Sequence, residues 1–86
     1  MKVQKILQKA RNQPANVRFG DMRKLVEAYG FNLDRINGSH HVFVHPSIPE
    51  LLNLQDEGGK AKAYQVRQFI KLVDKYNLKS GADNGD

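Results

Sequence analysis

A chain of 86 residues has room for one domain, which at this size buries only about 60% of its unfolded surface, so its core must be compact and simple. It contains no cysteine, which excludes disulfide staples and thiolate zinc sites and fits a reducing cytoplasm. The formal charge of +5 is concentrated early, with Lys2, Lys5, Lys9, Arg11, Arg18, Arg23 and Lys24 set against Asp21 alone. Such a field attracts polyanions, RNA or DNA above all, although a solvated basic helix face has the same composition.

In chain order, Val3, Ile6, Leu7 and Ala10 fall at i, i+3, i+4, i+7 and predict an amphipathic helix from Lys2 to about Gln13, ended by Pro14. Charges interrupt its apolar residues, unlike the core of a signal peptide. No run of about 18 apolar residues could span a bilayer, so a cytoplasmic protein with no membrane partner is expected. Met22, Leu25, Val26 and Tyr29 repeat the helical spacing and predict a second helix over Asp21 to Tyr29, capped by Gly30.

The pattern then changes. Phe31 to Ile36 reads as a strand, Asn37-Gly38 supplies a hairpin signal, and Ser39 to His45 is the return strand. Pro46 and Pro49 bracket a connection, Leu51 to Gln55 reads as a third short strand, and Asp56 to Lys60 as a turn. Val66, Phe69, Ile70 and Val73 predict a last helix from Ala63 to about Tyr76. Lys79 to Asp86 has no apolar residue larger than alanine and should be a disordered tail, leaving residues 1–78 as one domain. The fold class is α+β, a three-stranded antiparallel sheet with helices on one face. Without its first helix the order is α-β-β-β-α, that of double-stranded RNA-binding domains.

All three histidines lie in the run Ile36 to Pro46, I-N-G-S-H-H-V-F-V-H-P. A metal site fits them poorly: His41 and His45 share a strand face but lie about 13 Å apart along it, and His40 points the other way. No metal and no cofactor is expected. A catalytic base needs one imidazole open to substrate, and His40, beside the turn, is the best placed. Ser39 could touch a phosphate, and Arg35, Lys60 and Lys62 are candidate cations for it. Against this, a lone histidine beside a turn is more often a polar surface residue than a catalyst. Phe43, Tyr29, Tyr64, Phe69 and Tyr76 read as packing residues before they read as a base-stacking platform.

The stretch G-F-N-L-D-R-I-N-G-S-H-H-V-F-V-H-P, followed by a short strand and the helix Y-Q-V-R-Q-F-I-K-L-V-D-K-Y-N-L, resembles the HicA family of bacterial toxins over roughly Met22 to Leu78. The most specific piece is G-S-H-H-x-F-x-H-P, Gly38 to Pro46. The resemblance implies a double-stranded RNA-binding-like fold and the toxin of a type II toxin-antitoxin system. It further implies a metal-independent endoribonuclease that cleaves mRNA, silenced by a HicB-type antitoxin, with activity carried by His40. Two features depart from the family pattern: the N-terminal helix, which minimal members lack, and the acidic pair Asp56 and Glu57 near the third strand. The alternatives are a non-catalytic RNA-binding module of the same fold and a member kept only as a protein-binding subunit.

Overall fold

The computed structural model describes residues 2–81. The elements are α1 (Val3–Asn12), a single 3-10 turn at Pro14–Asn16, α2 (Phe19–Ala28), β1 (Asn32–Asn37), β2 (His40–His45), β3 (Ile48–Glu57), β4 (Lys60–Ala61) and α3 (Ala63–Tyr76). The four strands form one antiparallel sheet in the order β1-β2-β3-β4. The class is α+β, and the expected three strands become four. Two residues of strand are too short to show a period, and the Gly58-Gly59 pair that marks them, with φ of 62° and 90°, reads equally well as a loop.

β4 is held from both sides. Glu57 and Lys60 pair across the Gly58-Gly59 turn, Gly59 N donates to the Asp56 carboxylate at 2.8 Å, and Ala61 N donates to the Val17 carbonyl at 3.0 Å. The return contact, from Phe19 N to the Gly59 carbonyl at 2.9 Å, starts α2 two residues earlier than Asp21. β3 is also longer than its predicted Leu51–Gln55 core. It runs through Pro49 because that end lies beyond the reach of β4, where the missing proline N–H is not required.

The sheet buries Phe43, Leu52, Leu54 and Ile48 in one core with Met22, Leu25 and Val26 of α2 and Val66, Phe69, Leu72 and Val73 of α3. α1 packs on α2, on the 3-10 turn and on α3, inserting Val3, Ile6 and Ala10 into the same core. It therefore does not cover the other face of β2, where Val42 and Val44 stay half-buried. α3 ends at Asn77, which takes the left-handed conformation at φ 52° and closes the helix as its cap. Of the expected disordered tail, residues 82–86 lie outside the described residues. Gly81, still described, donates its N–H to the Ala28 carbonyl at 2.9 Å.

Two surface pairs tie elements together. Arg11 of α1 grips Asp74 of α3 through both nitrogens, at 2.9 and 3.2 Å. Glu50 accepts from the Tyr76 hydroxyl at 2.7 Å and from Lys75 at 2.9 Å. Hydrogen bonding from Tyr76 and then Lys75 holds the Glu50 carboxyl below its ordinary value, and Arg11 does the same for Asp74. A carboxyl lowered by folding stabilises the native state above the ordinary carboxylate range, about pH 4, and loses that contribution as pH falls through the lowered value. The thermal midpoint of the parent should therefore fall more steeply below about pH 4 than that of a Glu50→Gln/Asp74→Asn variant. Parallel pH curves for the two proteins would show that these pairs are inert.

Candidate functional site

Strand register sorts the three histidines. His41 is the cross-strand partner of Ile36 and of buried Leu54, so it faces the core side. Its ring meets the edge of Phe19 at 4.7 Å, and its Nδ1–H donates to the Ser39 carbonyl at 3.2 Å. His45 is more firmly engaged. Ser47 N–H donates to its Nδ1 at 3.0 Å, which leaves the ring proton on Nε2, where it donates to the Tyr29 carbonyl at 3.1 Å. His45 thus satisfies a carbonyl at the end of α2 while packing edge-on to Phe31, ring centroids 5.0 Å apart.

This clamp explains Gly30. With φ at 93° and an added Cβ only 2.8 Å from His45 Nε2, no side chain fits there without moving the ring. Gly30→Ala should destabilise the protein by about 1–3 kcal/mol from backbone strain and displacement of His45, read as a lower urea midpoint. An unchanged midpoint would mean that the turn relaxes freely.

His40 is placed differently. It pairs with Asn37 on β1 and Gln55 on β3, so it lies on the sheet face opposite Phe43 and Leu54. Its Nδ1 sits 2.9 Å from the Asn53 side-chain amide, one diagonal step along β3 on the same face. The hairpin that presents it has Gly38-Ser39 as its two loop residues, with Gly38 at φ 59°. Asn37 closes β1 instead of lying in the turn as the Asn-Gly signal suggests.

The other predicted residues divide. Arg35 pairs with Val42 and shares the His40 face, with its guanidinium 2.6 Å from Asp34. Ser39 is in the turn, where its carbonyl accepts from Asp56 N at 3.3 Å as well as from His41. Lys60 reaches Asn16 at 3.3 Å and Lys62 lies 3.8 Å from Glu57, so both are engaged at the β4 end of the sheet. Asp56 and Glu57 sit there too, which makes that end electrically mixed.

Asn53, Gln55 and Gln65, to which the sequence assigns no role at the site, join it, and so does Tyr64, which the sequence suggests as a packing residue but which stands exposed. Asn53 touches His40. Gln55, the cross-strand partner of His40, holds Gln65: Gln55 N donates to Gln65 Oε1 at 2.6 Å, and Gln65 Nε2 donates to Gln55 Oε1 at 2.9 Å. Tyr64, 61% exposed, donates its hydroxyl to Gln55 Oε1 at 3.4 Å and presents an open ring beside them. Alternation in L-L-N-L-Q puts Asn53 and Gln55 opposite Leu52 and Leu54, yet only the register shows that this is the His40 face.

The site is an open sheet surface. Two clefts lie elsewhere: one lined by Gln4, Leu7, Arg11, Tyr29 and Asp74, the other by Ala10, Pro14, Arg67 and Lys71. Among the described residues, no three His, Asp or Glu side chains come together as a metal-holding group, and no helix is long and apolar enough to cross a membrane. No curated protein and no solved structure matches the chain. Residues 19–74 match the family model for the HicA toxin of bacterial toxin-antitoxin systems. That span runs from the first residue of α2 through the histidine hairpin and nearly all of α3, more than half of the chain, and the protein therefore belongs to the HicA family, toxins whose systems imply an antitoxin partner.

Proposed function

We propose that this toxin is a metal-independent endoribonuclease of the cytoplasm that cleaves mRNA, with His40 as the base and a HicB-type antitoxin as its silencing partner. The observation that carries the reading is the sorting of the histidines: His41 and His45 are turned to the core side, against Phe19 and Phe31, while His40 alone stands on the open face. The order of α2, β1, β2, β3 and α3 supports a double-stranded RNA-binding-like fold, and the charge of +5 favours a polyanion on that surface.

In this mechanism Nε2 of His40 takes the proton of a ribose 2′-hydroxyl. The freed oxygen attacks the adjacent phosphorus, the bond to the 5′-oxygen breaks, and that oxygen leaves as a hydroxyl after taking up a proton. The products carry a 2′,3′-cyclic phosphate and a 5′-hydroxyl. Arg35 is the cation on the same face and offsets the charge that develops on the phosphate, with the Ser39 hydroxyl in the turn beside it. Lys60 and Lys62 act at longer range, drawing the strand toward the sheet.

The test is cleavage of a defined mRNA by purified protein in EDTA, with His40→Ala and His41→Ala alongside and folding checked by circular dichroism. The parent and His41→Ala should cut and leave 2′,3′-cyclic phosphate ends, while His40→Ala should not. Salt-sensitive RNA binding without cutting by the parent would overturn the nuclease reading and leave a binding module.

A further inference from the structure

Asn53 lies half-buried on the His40 face with its amide nitrogen 2.9 Å from His40 Nδ1, and its Oδ1 is buried without a hydrogen-bond donor. We propose that Asn53 is the positioning residue that sets the proton arrangement of His40, presenting Oδ1 to an Nδ1–H so that the Nε2 lone pair faces substrate. The inference rests on the reading of His40 as the base and names what holds that base ready.

A neutral imidazole carries one proton, so whichever nitrogen Asn53 engages decides what the other can do. With Nδ2 donating to Nδ1, the ring proton sits on Nε2, and that nitrogen cannot accept another. Nor could the ring then become an imidazolium, because Nδ1–H would face the N–H groups of the amide. A half-turn of the amide about its Cβ–Cγ bond exchanges its two ends. Oδ1 then accepts from Nδ1–H, Nε2 is free, and the same hydrogen bond persists and strengthens when the ring gains its second proton.

On the buried side the turn breaks no hydrogen bond, because Oδ1 has no donor there to give up. The carboxamide is also suited to the task. It is a neutral acceptor, so it fixes the ring's tautomer and orientation without adding a fixed negative charge to a surface that must receive phosphate. Its place on β3, one step from the Gln55 that pairs with His40, ties the ring to the middle of the sheet instead of to the turn.

The experiment reads the His40 ring nitrogens by 15N NMR in the full chain at neutral pH, together with rates of RNA cleavage. The parent should carry its proton on Nδ1. Asn53→Ala should move it to Nε2, the form a solvated histidine side chain favours, and cut the rate roughly 10- to 100-fold, a share of what acid-base catalysis supplies. Asn53→Asp should restore the Nδ1–H form and much of the rate, with the acidic limb of the pH profile moved up because a carboxylate favours the imidazolium. Loss of stability alone would reproduce neither the tautomer change nor this rescue. A parent with its proton on Nε2, or an Asn53→Ala protein with unchanged tautomer and rate, overturns the assignment. His40→Ala in the same assay separates the two readings: if it still cuts, the His40 base falls and the role of Asn53 falls with it. If it is inactive while Asn53→Ala is fully active, only the role of Asn53 falls.

Discussion

Replacing His40 with alanine is expected to slow RNA cleavage by roughly 10²- to 10⁴-fold, about 3–5 kcal/mol of barrier, while leaving the thermal midpoint nearly unchanged. The two halves of this expectation come from different sides of the sheet. His40 is half-buried on the open face and packs against none of the core residues Phe43, Leu52 or Leu54, so truncating it opens no cavity. What it loses is one hydrogen bond with Asn53 and the only imidazole on that face. His40→Gln sharpens the test, since glutamine can keep a hydrogen bond to Asn53 yet cannot take a proton near neutral pH, and it should be as slow as alanine. A folded His40→Ala protein that cuts at the parent rate would remove His40 from the chemistry.

Much of this arrangement was legible from the order of residues because helices and hairpins write themselves as short periods. Val3, Ile6 and Ala10, or Val66, Phe69 and Val73, share a helix face whatever surrounds them, and α3 (Ala63–Tyr76) agrees with the helix expected from Ala63 to about Tyr76. The G-S-H-H run sets His40 apart in the sequence. Illegible were the features that depend on which strand lies beside which. β4 exists because Val17 and Glu57 flank it, and two residues cannot announce that by period. Asn53 looked like one polar residue in a strand until register set it diagonal to His40. His45 looked like a third member of a cluster until Tyr29 and Ser47, one distant and one local, claimed its two nitrogens. The cations illustrate the same limit: charge at Lys60 and Lys62 was plain, but their engagement by Asn16 and Glu57 is tertiary.

Ile6→Ala should destabilise the protein by about 2–5 kcal/mol, a large part of the 5–15 kcal/mol available to a domain. α1 falls outside the span 19–74 that matches the family, which invites its treatment as a detachable addition. Its burial argues otherwise: Ile6 is fully buried, Val3 and Ala10 nearly so, and all three belong to the same core as Met22, Leu25 and Phe69. In so small a chain one aliphatic side chain is a sizeable share of the apolar surface removed from water, and the rigid walls of α2 and α3 cannot close over the space it leaves. The loss should appear as a lower urea midpoint with an unchanged slope, against almost no change for the exposed Lys5→Ala on the same helix. A shift below about 0.5 kcal/mol for Ile6→Ala would show that α1 is an accessory that the 19–74 domain does without. A large one makes it part of the foundation under the sheet. The geometry on the far face, where His40 and Asn53 must meet within hydrogen-bond distance, then depends on a helix that touches neither of them.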